Sequence, residues 1–313
     1  MKNVVVLGGT GFVGQPVCRL LLQHGWAVTV PTRQRAPVQP GGGVTLCEVD
    51  VHDKEALTQL VAGHEAVINL VAILHGDSAT FESVHVTLPR KLVRACVRQQ
   101  VTRIVHVSAL GVDDLHPNTG PSEYLRSKGR GEAVLLHSPE AATLDVTVLR
   151  PSVIFGAGDK FLNMFAKLQA VFPVMPLAGA DAKFQPVWVE DVALAVVRAL
   201  ERAADPAARS ALPRIVEAWG PEVYTLADLV RLSARLSGVR GGAGRPVVAL
   251  PGWMARVQAS LMELAPGEPL MSRDNLDSMK IDNVASGAVP GLEVLGITPA
   301  RLEPVAANYL SKK

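Results

Sequence analysis

The chain has 313 residues, enough to bury a large core in one domain or in two interleaved domains. Its 31 Lys and Arg residues nearly balance its 29 Asp and Glu residues, so the net charge is only +2. Because nucleic-acid-binding proteins carry a basic excess or a basic stripe, this balance argues against a nucleic-acid partner.

The first predicted element is a strand, Val4 to Leu7, that ends in a glycine-rich turn and is followed by a helical pattern. The turn reads Gly8-Gly9-Thr10-Gly11-Phe12-Val13-Gly14. In a G-x-x-G-x-x-G turn the first glycine permits the tight bend, the second lets a phosphate approach the backbone, and the third lets the helix pack on the strand. A helix N-terminus also offers N–H groups and a positive dipole end to a pyrophosphate. The turn is therefore predicted to hold a dinucleotide, the alternative being a glycine turn without a ligand.

Apolar runs of strand length then alternate with helical segments through the first half of the chain. The predicted strands cover residues 3–8, 26–31, 44–49, 66–72, 103–108 and 145–150, and helical periodicity marks 81–99 and 122–137. Such alternation is typical of parallel strands joined by right-handed helical crossovers. The sequence predicts an α/β fold built on a Rossmann-type, doubly wound parallel sheet.

After Pro151 the pattern becomes less regular. Proline-rich loops at 173–186 are followed by a helix from about Asp191 to Ala203, a strand at 214–219, and a helix that Thr225 and Asp228 open with a capping-box pattern. We predict a dinucleotide-binding domain at 1–155, to which segments near 190–220 return. Residues 156–313 are predicted to form mainly a smaller, partly helical C-terminal lobe for a substrate or a partner.

The cysteines and the N-terminus indicate where the protein resides. Cys18, Cys47 and Cys96 lie in predicted helices or strands without CxxC spacing, so neither a disulfide nor a metal site is predicted. The chain opens with one Lys and a strand, without the apolar core of a signal peptide. No apolar run approaches the roughly 20 residues of a spanning helix. A cytoplasmic protein is expected, either free or peripheral at the inner face of the membrane.

Three residues form a candidate catalytic group. Tyr124 and Lys128 lie four residues apart on a predicted helix, so both side chains emerge from one face. The lysine charge is expected to lower the tyrosine pKa from its usual value of about 10, so that the phenol can exchange a proton with a substrate. Tyr124 and Lys128 are also candidate coenzyme-binding residues, the lysine through a ribose hydroxyl. Ser108 follows a strand at the sheet edge where ligands of parallel sheets bind, and could polarise a carbonyl there. The alternative is a tyrosine and a lysine paired on a surface helix.

The end of the second strand predicts which coenzyme is bound. An acidic residue there binds the ribose of NAD, whereas arginine accommodates the additional phosphate of NADP. The segment contains Arg33 and Arg35 without a nearby Asp or Glu. A guanidinium clamp on the 2′-phosphate therefore favours NADP(H) over NAD(H). The alternative is two solvated surface arginines.

Seven motifs in order resemble the extended or atypical short-chain dehydrogenase/reductases, which are NAD-dependent epimerase/dehydratase-like, over nearly the whole chain. They are Gly8–Gly14, Val49–Val51, Asn69–Ala72, Ser108, Tyr124-x-x-x-Lys128, Leu149–Gly156 and Phe184–Val192. By this resemblance Asp50 and Val51 border the adenine, and Val71 and Ala72 the ribose and phosphates. It places Pro151 and Ser152 at the nicotinamide end.

Three segments are most similar to one branch of that family. They are Val107–Gly111, Tyr124–Lys128 and Arg273–Asn283. The branch contains the nucleotide-binding accessory subunit of respiratory complex I and its stand-alone bacterial relatives, and implies an NADPH that is bound structurally. His85 stands where catalytic members carry an asparagine that supports the lysine through water. It could replace that relay, but packing is the favoured interpretation.

An amphipathic helix is predicted at 251–264, with Trp253, Met254, Val257, Leu261 and Leu264 at helical spacing. Packing of this stripe within its own lobe is the favoured interpretation. The alternative is docking on a respiratory complex or at the membrane surface. Candidates for lining a substrate cleft are His75, Asp77, Phe161, Met164, Phe165 and Gln185.

Two functions remain open at this point. The first is an oxidoreductase or epimerase-like enzyme that acts on a small apolar or quinone-like carbonyl compound with NADP(H), through Ser108, Tyr124 and Lys128. The second is a non-catalytic NADPH-binding accessory or assembly factor of respiratory complex I or of quinone biosynthesis.

Overall fold

Strands and helices alternate along the chain as the sequence predicts. The computed structural model describes residues 2–33, 43–202, 213–264, 267 and 269–311. Within these ranges the strands are β1 Asn3–Leu7, β2 Ala27–Thr32, β3 Val44–Glu48, β4 Ala66–Asn69, β5 Arg103–Val107, β6 Asp145–Pro151, β7 Ile154–Phe155, β8 Met175–Leu177, β9 Lys183–Phe184, β10 Val187–Trp188, β11 Ile215–Ala218, β12 Tyr224–Thr225 and β13 Val247–Ala249. The α-helices are α1 Gly14–Gln23, α2 Lys54–Val61, α3 Ser78–Glu82, α4 Leu88–Arg98, α5 Glu123–His137, α6 Leu162–Val171, α7 Val189–Arg202, α8 Leu226–Ser237, α9 Gly252–Glu263, α10 Arg273–Ser278 and α11 Leu302–Leu310.

Seven of the strands form one parallel sheet. Their order is β11-β6-β5-β4-β1-β2-β3, and each neighbouring pair is parallel. The winding direction reverses between β1 and β4, which opens a crevice at the carboxyl ends of these two strands. The predicted doubly wound Rossmann-type sheet is confirmed.

Alternate residues of β1 supply the cores on the two faces of the sheet. Val4 and Val6 belong to a core with residues of α1 and α7, whereas Val5 and Leu7 belong to a core with residues of α2, α4 and α5. All four side chains are fully buried, and each such burial contributes roughly 1.5–3 kcal/mol to folding. This burial on both faces fixes the direction in which β1 delivers the glycine turn.

The second half of the chain adds one strand to the main sheet and covers one of its faces with α7. Strand β11 pairs with β6. Helices α6, α8 and α11 contribute to two smaller cores. The predicted capping box at the start of α8 is present: the Thr225 hydroxyl accepts from the Asp228 N–H, and the Asp228 carboxylate accepts from the Thr225 N–H.

One predicted helix differs in its interior. The segment predicted as helix at 81–99 consists of α3, a π-helical turn at Ser83–Thr87, and α4. A Cβ at Gly131 of α5 would lie only 2.0 Å from the carbonyl oxygen of His85. Helix α5 therefore passes directly against the π turn, which carries the buried His85 ring.

The three cysteines are free. Burial raises the pKa of the Cys18 thiol to about 11 and that of Cys96 to about 12, so both act as small apolar side chains. Among the described helices, none combines the length and the apolar character needed to cross a membrane.

Candidate functional site

The glycine turn has the close backbone contacts that its motif predicts. Gly8 has φ +80°, and a Cβ there would lie 3.3 Å from the carbonyl carbon of Leu70 at the end of β4. A Cβ at Gly14 would lie 2.2 Å from the Gly8 carbonyl oxygen, so only glycine lets α1 pack this closely on the turn. At Gly11 a Cβ would meet only the Gly8 oxygen, at 3.3 Å. The exposed side of the turn is therefore open to a ligand.

Helix α1 presents its N-terminus to the same open side. The Gln15 N–H donates to the Gly11 carbonyl at 3.0 Å, so helical bonding begins at Gly11. The amides of Phe12, Val13 and Gly14 then belong to the first turn, where backbone N–H groups lack intrahelical acceptors. The first turn carries no acidic residue. This arrangement fits a pyrophosphate.

The loops after β4 and β3 lie at the same edge of the sheet. Asn69 is fully buried. Its Oδ1 accepts from the Val71 N–H at 3.2 Å, and its Nδ2 lies 3.1 Å from His106 Nδ1. This holds the turn that carries half-buried Val71 and exposed Ala72. Exposed Asp50 accepts from the His52 N–H at 2.9 Å.

Pro151 ends β6 and Ser152 directly follows it, and both are buried. The Ser152 hydroxyl donates to Asn283 Oδ1 at 2.6 Å. That same oxygen accepts from the Val153 N–H at 3.0 Å. Asn283 comes from far along the chain, and sequence reasoning assigned it no role of its own. Its signal was present, because it ends the Arg273–Asn283 segment that carries the family resemblance.

Tyr124 lies in the first turn of α5 within an aromatic group. Its ring centroid is 6.3 Å from that of Phe81 and 5.6 Å from that of His85, both in edge-on arrangements. Burial raises the pKa of the Tyr124 phenol, and the Asp274 carboxylate raises it further. The prediction that Lys128 lowers this pKa is wrong, because burial and a negative neighbour determine its direction.

Lys128 and Ser108 are buried behind the tyrosine. The Lys128 ammonium donates to the Val107 carbonyl at 3.1 Å, and burial lowers its pKa to about 8 against the opposing charge of Glu132. The Ser108 hydroxyl lies beside Glu132 and favours its charged form, without a hydrogen bond of standard geometry. Tyr124 instead packs against Ala109, within a small apolar cluster. The predicted group of three therefore shares one region, but the serine hydroxyl is placed beside the glutamate.

His85 packs in the interior, as the favoured interpretation held, and it also bridges two neighbouring polar groups. Its Nε2 accepts from the Ile73 N–H at 3.2 Å, and its Nδ1 lies 2.9 Å from the Ser127 hydroxyl. That hydroxyl donates to the Tyr124 carbonyl at 2.9 Å, so the proton belongs on Nδ1. Burial, together with the charges of Lys128, His106 and Arg130, lowers the His85 pKa to about 2, so the ring is neutral.

Because His85 and His106 are both held neutral in the fold, we expect the protein to lose stability in mild acid. His106 is also buried, and its pKa is likewise well below its usual value, through burial and then through Lys128. Below pH 6.5 the unfolded chain binds protons at both rings and the folded chain does not, so the free energy of unfolding falls as the pH falls. Between pH 7 and 5.5 the expected loss is roughly 2.5 kcal/mol for the two rings.

Urea denaturation at a series of pH values checks this expectation. Replacing His116, whose side chain is 73% exposed, with Gln should leave the pH dependence unchanged. A free energy of unfolding that stays level from pH 7 to 5.5 would contradict the assignment of two neutral buried rings.

A buried ion network lies beneath the site, and sequence reasoning missed it. Arg150 on β6 donates from Nε to both Glu132 oxygens at 3.1 Å and from Nη2 to Asp114 at 2.6 Å. Asp114 also pairs with His137 at 2.7 Å. The sequence indicates this network only through Lys128 and Glu132, which are one helical turn apart and can therefore lie side by side.

A cavity of about 570 Å³ lies beside the tyrosine. Its lining includes Phe81 and Asp274, which both influence Tyr124, and among the predicted cleft residues it includes His75. Other predicted cleft residues lie elsewhere: Asp77 caps α3, Phe161, Met164 and Phe165 pack in apolar cores, and Gln185 bonds to the Gly220 carbonyl. The cleft is therefore formed largely by the C-terminal segment, which residue types alone did not reveal.

The two arginines chosen for the 2′-phosphate have different outcomes. Arg33 directly follows β2 and is exposed, at the same edge of the sheet as the glycine turn. Arg35 lies outside the described residues.

The apolar stripe of helix α9 is exposed, whereas the favoured expectation was that it packs within its own lobe. The helix buries Ala255 and Ala259. Its large side chains face outward instead, with Trp253 70% and Leu261 64% exposed, and Leu264 just beyond it is 82% exposed. The prediction that the large apolar side chains pack within their own lobe is thus wrong. The helix packs on the protein through its small alanine side chains instead.

Comparison with known proteins now defines the class. The model of the family described as "NAD dependent epimerase/dehydratase family" matches residues 4–212. This chain belongs to that family. The solved structure of a protein called gox2253 matches with a TM-score of 0.73 at 22% identity, covering 99% of this chain and 97% of that one, which shows the shared fold.

Two curated relatives are more specific. The mitochondrial NADH dehydrogenase [ubiquinone] 1 alpha subcomplex subunit 9 of Mus musculus is 32% identical over 98% of this chain and 79% of its own length. A ceramide reductase of Caulobacter vibrioides is 31% identical over 62% of this chain and 59% of its own length. The resemblance to the branch of the complex I subunit is confirmed.

Proposed function

We propose that this protein binds NADPH as a structural ligand and acts as an accessory component of a respiratory NADH dehydrogenase. The observation that carries this proposal is the state of Tyr124. Its ring is packed against Phe81 and His85, and burial together with Asp274 raises the pKa of its phenol. A general acid–base group works best when its pKa lies near the operating pH. The glycine turn offers backbone amides to a dinucleotide, whereas the pKa of the candidate proton-transfer group is raised away from the operating pH.

The coenzyme would be held by residues at the carboxyl edge of the sheet. The glycine turn and the first turn of α1 would bind the pyrophosphate, and Arg33 the 2′-phosphate. Lys128 uses one ammonium proton on Val107 and keeps others for a ribose hydroxyl. Further contacts are assigned to Asp50 and Val51 at the adenine, Val71 and Ala72 at the ribose and phosphates, and Pro151 and Ser152 at the nicotinamide. NADPH supplies a hydride when it reacts, and its binding stabilises the folded state by mass action in either case.

The partner surface is the exposed face of α9. The nearby charged residues are paired among themselves: Arg256 with Asp277, and Arg273 with Glu263. The face is thus apolar without a surplus of positive charge, which suits an apolar protein surface better than an anionic lipid layer. The curated relative that spans almost the whole chain is by name a subunit of an NADH dehydrogenase. We therefore assign this face to a subunit of such a complex.

The experiment begins with native mass spectrometry of freshly purified protein, followed by assays of NADPH oxidation with quinones and carbonyl compounds. We expect bound NADPH and no turnover. Tyr124→Phe should change NADPH affinity less than about twofold, because the substitution keeps the aromatic ring beside the coenzyme. The matched control Tyr224→Phe should also leave the affinity unchanged, because that phenol bonds to Glu222 and is not assigned to the coenzyme. Arg33→Ala should weaken NADPH binding by about tenfold or more while sparing NADH, since a charged hydrogen bond contributes about 1.5–3 kcal/mol.

A reductase is the second candidate, favoured by the cavity of about 570 Å³ beside Tyr124. Its lining combines the apolar ring of Phe81 with the polar His75. The carboxylates of Glu263 and Asp274 also line it, so the cavity suits a carbonyl compound that carries polar groups. This function requires that Tyr124→Phe lower kcat by a factor of about 100 or more with affinity for NADPH unchanged. That result would replace the accessory function with an enzymatic one.

A further inference from the structure

The segment of residues 272–283, here called the crossing segment, connects two regions that the proposed function uses separately. Some of its residues are hydrogen-bonded to the candidate coenzyme site, and others are hydrogen-bonded to α9. The inference below rests on the proposed coenzyme binding, and it concerns how that binding reaches the docking face.

At the coenzyme site the crossing segment is bonded at three points. The Asp274 carboxylate accepts from the N–H groups of Glu123 at 2.6 Å and Tyr124 at 3.1 Å, and so caps the N-terminus of α5. The Ser278 hydroxyl lies 2.8 Å from that of Ser122. Asn283 holds Ser152 and the Val153 N–H, as described above.

On its other side the crossing segment holds α9. The Glu263 carboxylate accepts from the Arg273 backbone N–H at 2.7 Å and from its Nε at 2.8 Å. Arg256 Nη2 donates to Asp277 at 2.9 Å. Both arginine side chains are more than half exposed, so each pair holds α9 only weakly.

Helix α9 has little else to hold it. Its buried residues are the two small alanines, Ala255 and Ala259. An element with few buried apolar contacts opens at low free energy, so a small shift in the crossing segment changes the population of its ordered state. The residues that would sense the coenzyme, Tyr124 and Ser152, are hydrogen-bonded to the element that supports α9.

We propose that NADPH binding and docking at α9 are coupled through the crossing segment: the coenzyme orders residues 272–283, and these order α9. Because coupling between two binding events is reciprocal, the docked partner also tightens NADPH binding by the same factor. The nucleotide then determines whether the docking helix is presented in its ordered form.

Hydrogen exchange of the full chain, followed by mass spectrometry with and without saturating NADPH, tests this coupling. We expect amide exchange in residues 252–263 to slow by about threefold or more on NADPH addition. Asp274→Ala should abolish that change, and Ser278→Ala, which removes a different contact, should reduce it. Asp282→Asn is the matched control, because this carboxylate lies in the same segment but pairs with Lys183. It should leave the response intact.

Calorimetry on the same samples separates the two proposals. Normal NADPH binding with unchanged exchange at 252–263 in the unmutated protein would overturn the coupling alone. So would a full response in both the Asp274 and the Ser278 variants. Absence of binding by either NADPH or NADH would overturn the coenzyme proposal and the coupling with it.

Discussion

Replacing Gly14 with alanine is expected to destabilise the fold by about 3 kcal/mol and to abolish dinucleotide binding. The new Cβ would lie 2.2 Å from the Gly8 carbonyl oxygen and 2.6 Å from the Gly9 Cα, both of them backbone atoms. Because backbone cannot rotate away, α1 must move off the turn, and overpacking of this kind costs about 1–3 kcal/mol or somewhat more. The displaced helix would no longer present its first-turn amides to a pyrophosphate. Urea denaturation and calorimetry with NADPH measure the two effects.

Gly252→Ala is the matched control. A Cβ at Gly252 would have nothing within 4 Å, and this residue begins α9. Alanine is the better helix former, so the control should be neutral or slightly stabilising. If Gly14→Ala bound NADPH normally, the assignment of the glycine turn as the coenzyme cradle would be wrong.

The sheet and the glycine turn could be predicted from the sequence because their signals are local. Val4 to Leu7 form an unbroken apolar run, as a strand buried on both faces requires. Gly8, Gly11 and Gly14 follow at the spacing that the turn needs. Both features depend on neighbours within about fourteen residues, so the pattern of residue types contains them.

The state of Tyr124 could not be predicted in this way. Its spacing from Lys128 correctly placed both on α5, but the charge that acts on the phenol comes from Asp274, 150 residues further along the chain. Burial, which dominates the pKa shift, is a property of the packed fold. The local motif therefore gave the right residues and the wrong direction of the pKa.

Helix α9 shows a second kind of limit. Its periodicity predicted an amphipathic helix at 251–264, and the helix is present. The pattern could not show which face is covered, because large apolar residues are usually buried. Here Ala255 and Ala259 face the protein and Trp253 faces outward, which leaves a large apolar side chain exposed.

Replacing Arg150 with methionine is expected to cost about 3–5 kcal/mol of folding free energy. Arg150 is the cation that joins Glu132, which is 0% exposed, to Asp114 beneath Lys128 and Ser108. Its removal leaves buried carboxylates without their cation, and breaking a buried pair from one side costs about that amount. Urea denaturation measures the loss.

Two further variants show whether the loss comes from an unpaired buried charge. The double variant Arg150→Met, Glu132→Leu removes the more buried pair and leaves Asp114 with its partner His137. It should recover at least half of the lost stability, because an apolar pair of similar volume can replace a buried ion pair. Arg126→Met breaks a more exposed pair with Glu123 on the same helix and should cost only about 0–1 kcal/mol. If the single and double variants at Arg150 were equally unstable, the cost would come from lost packing around the arginine stem. Lys128 and Ser108 would then owe their positions to side-chain volume, and the charges beneath them would contribute little.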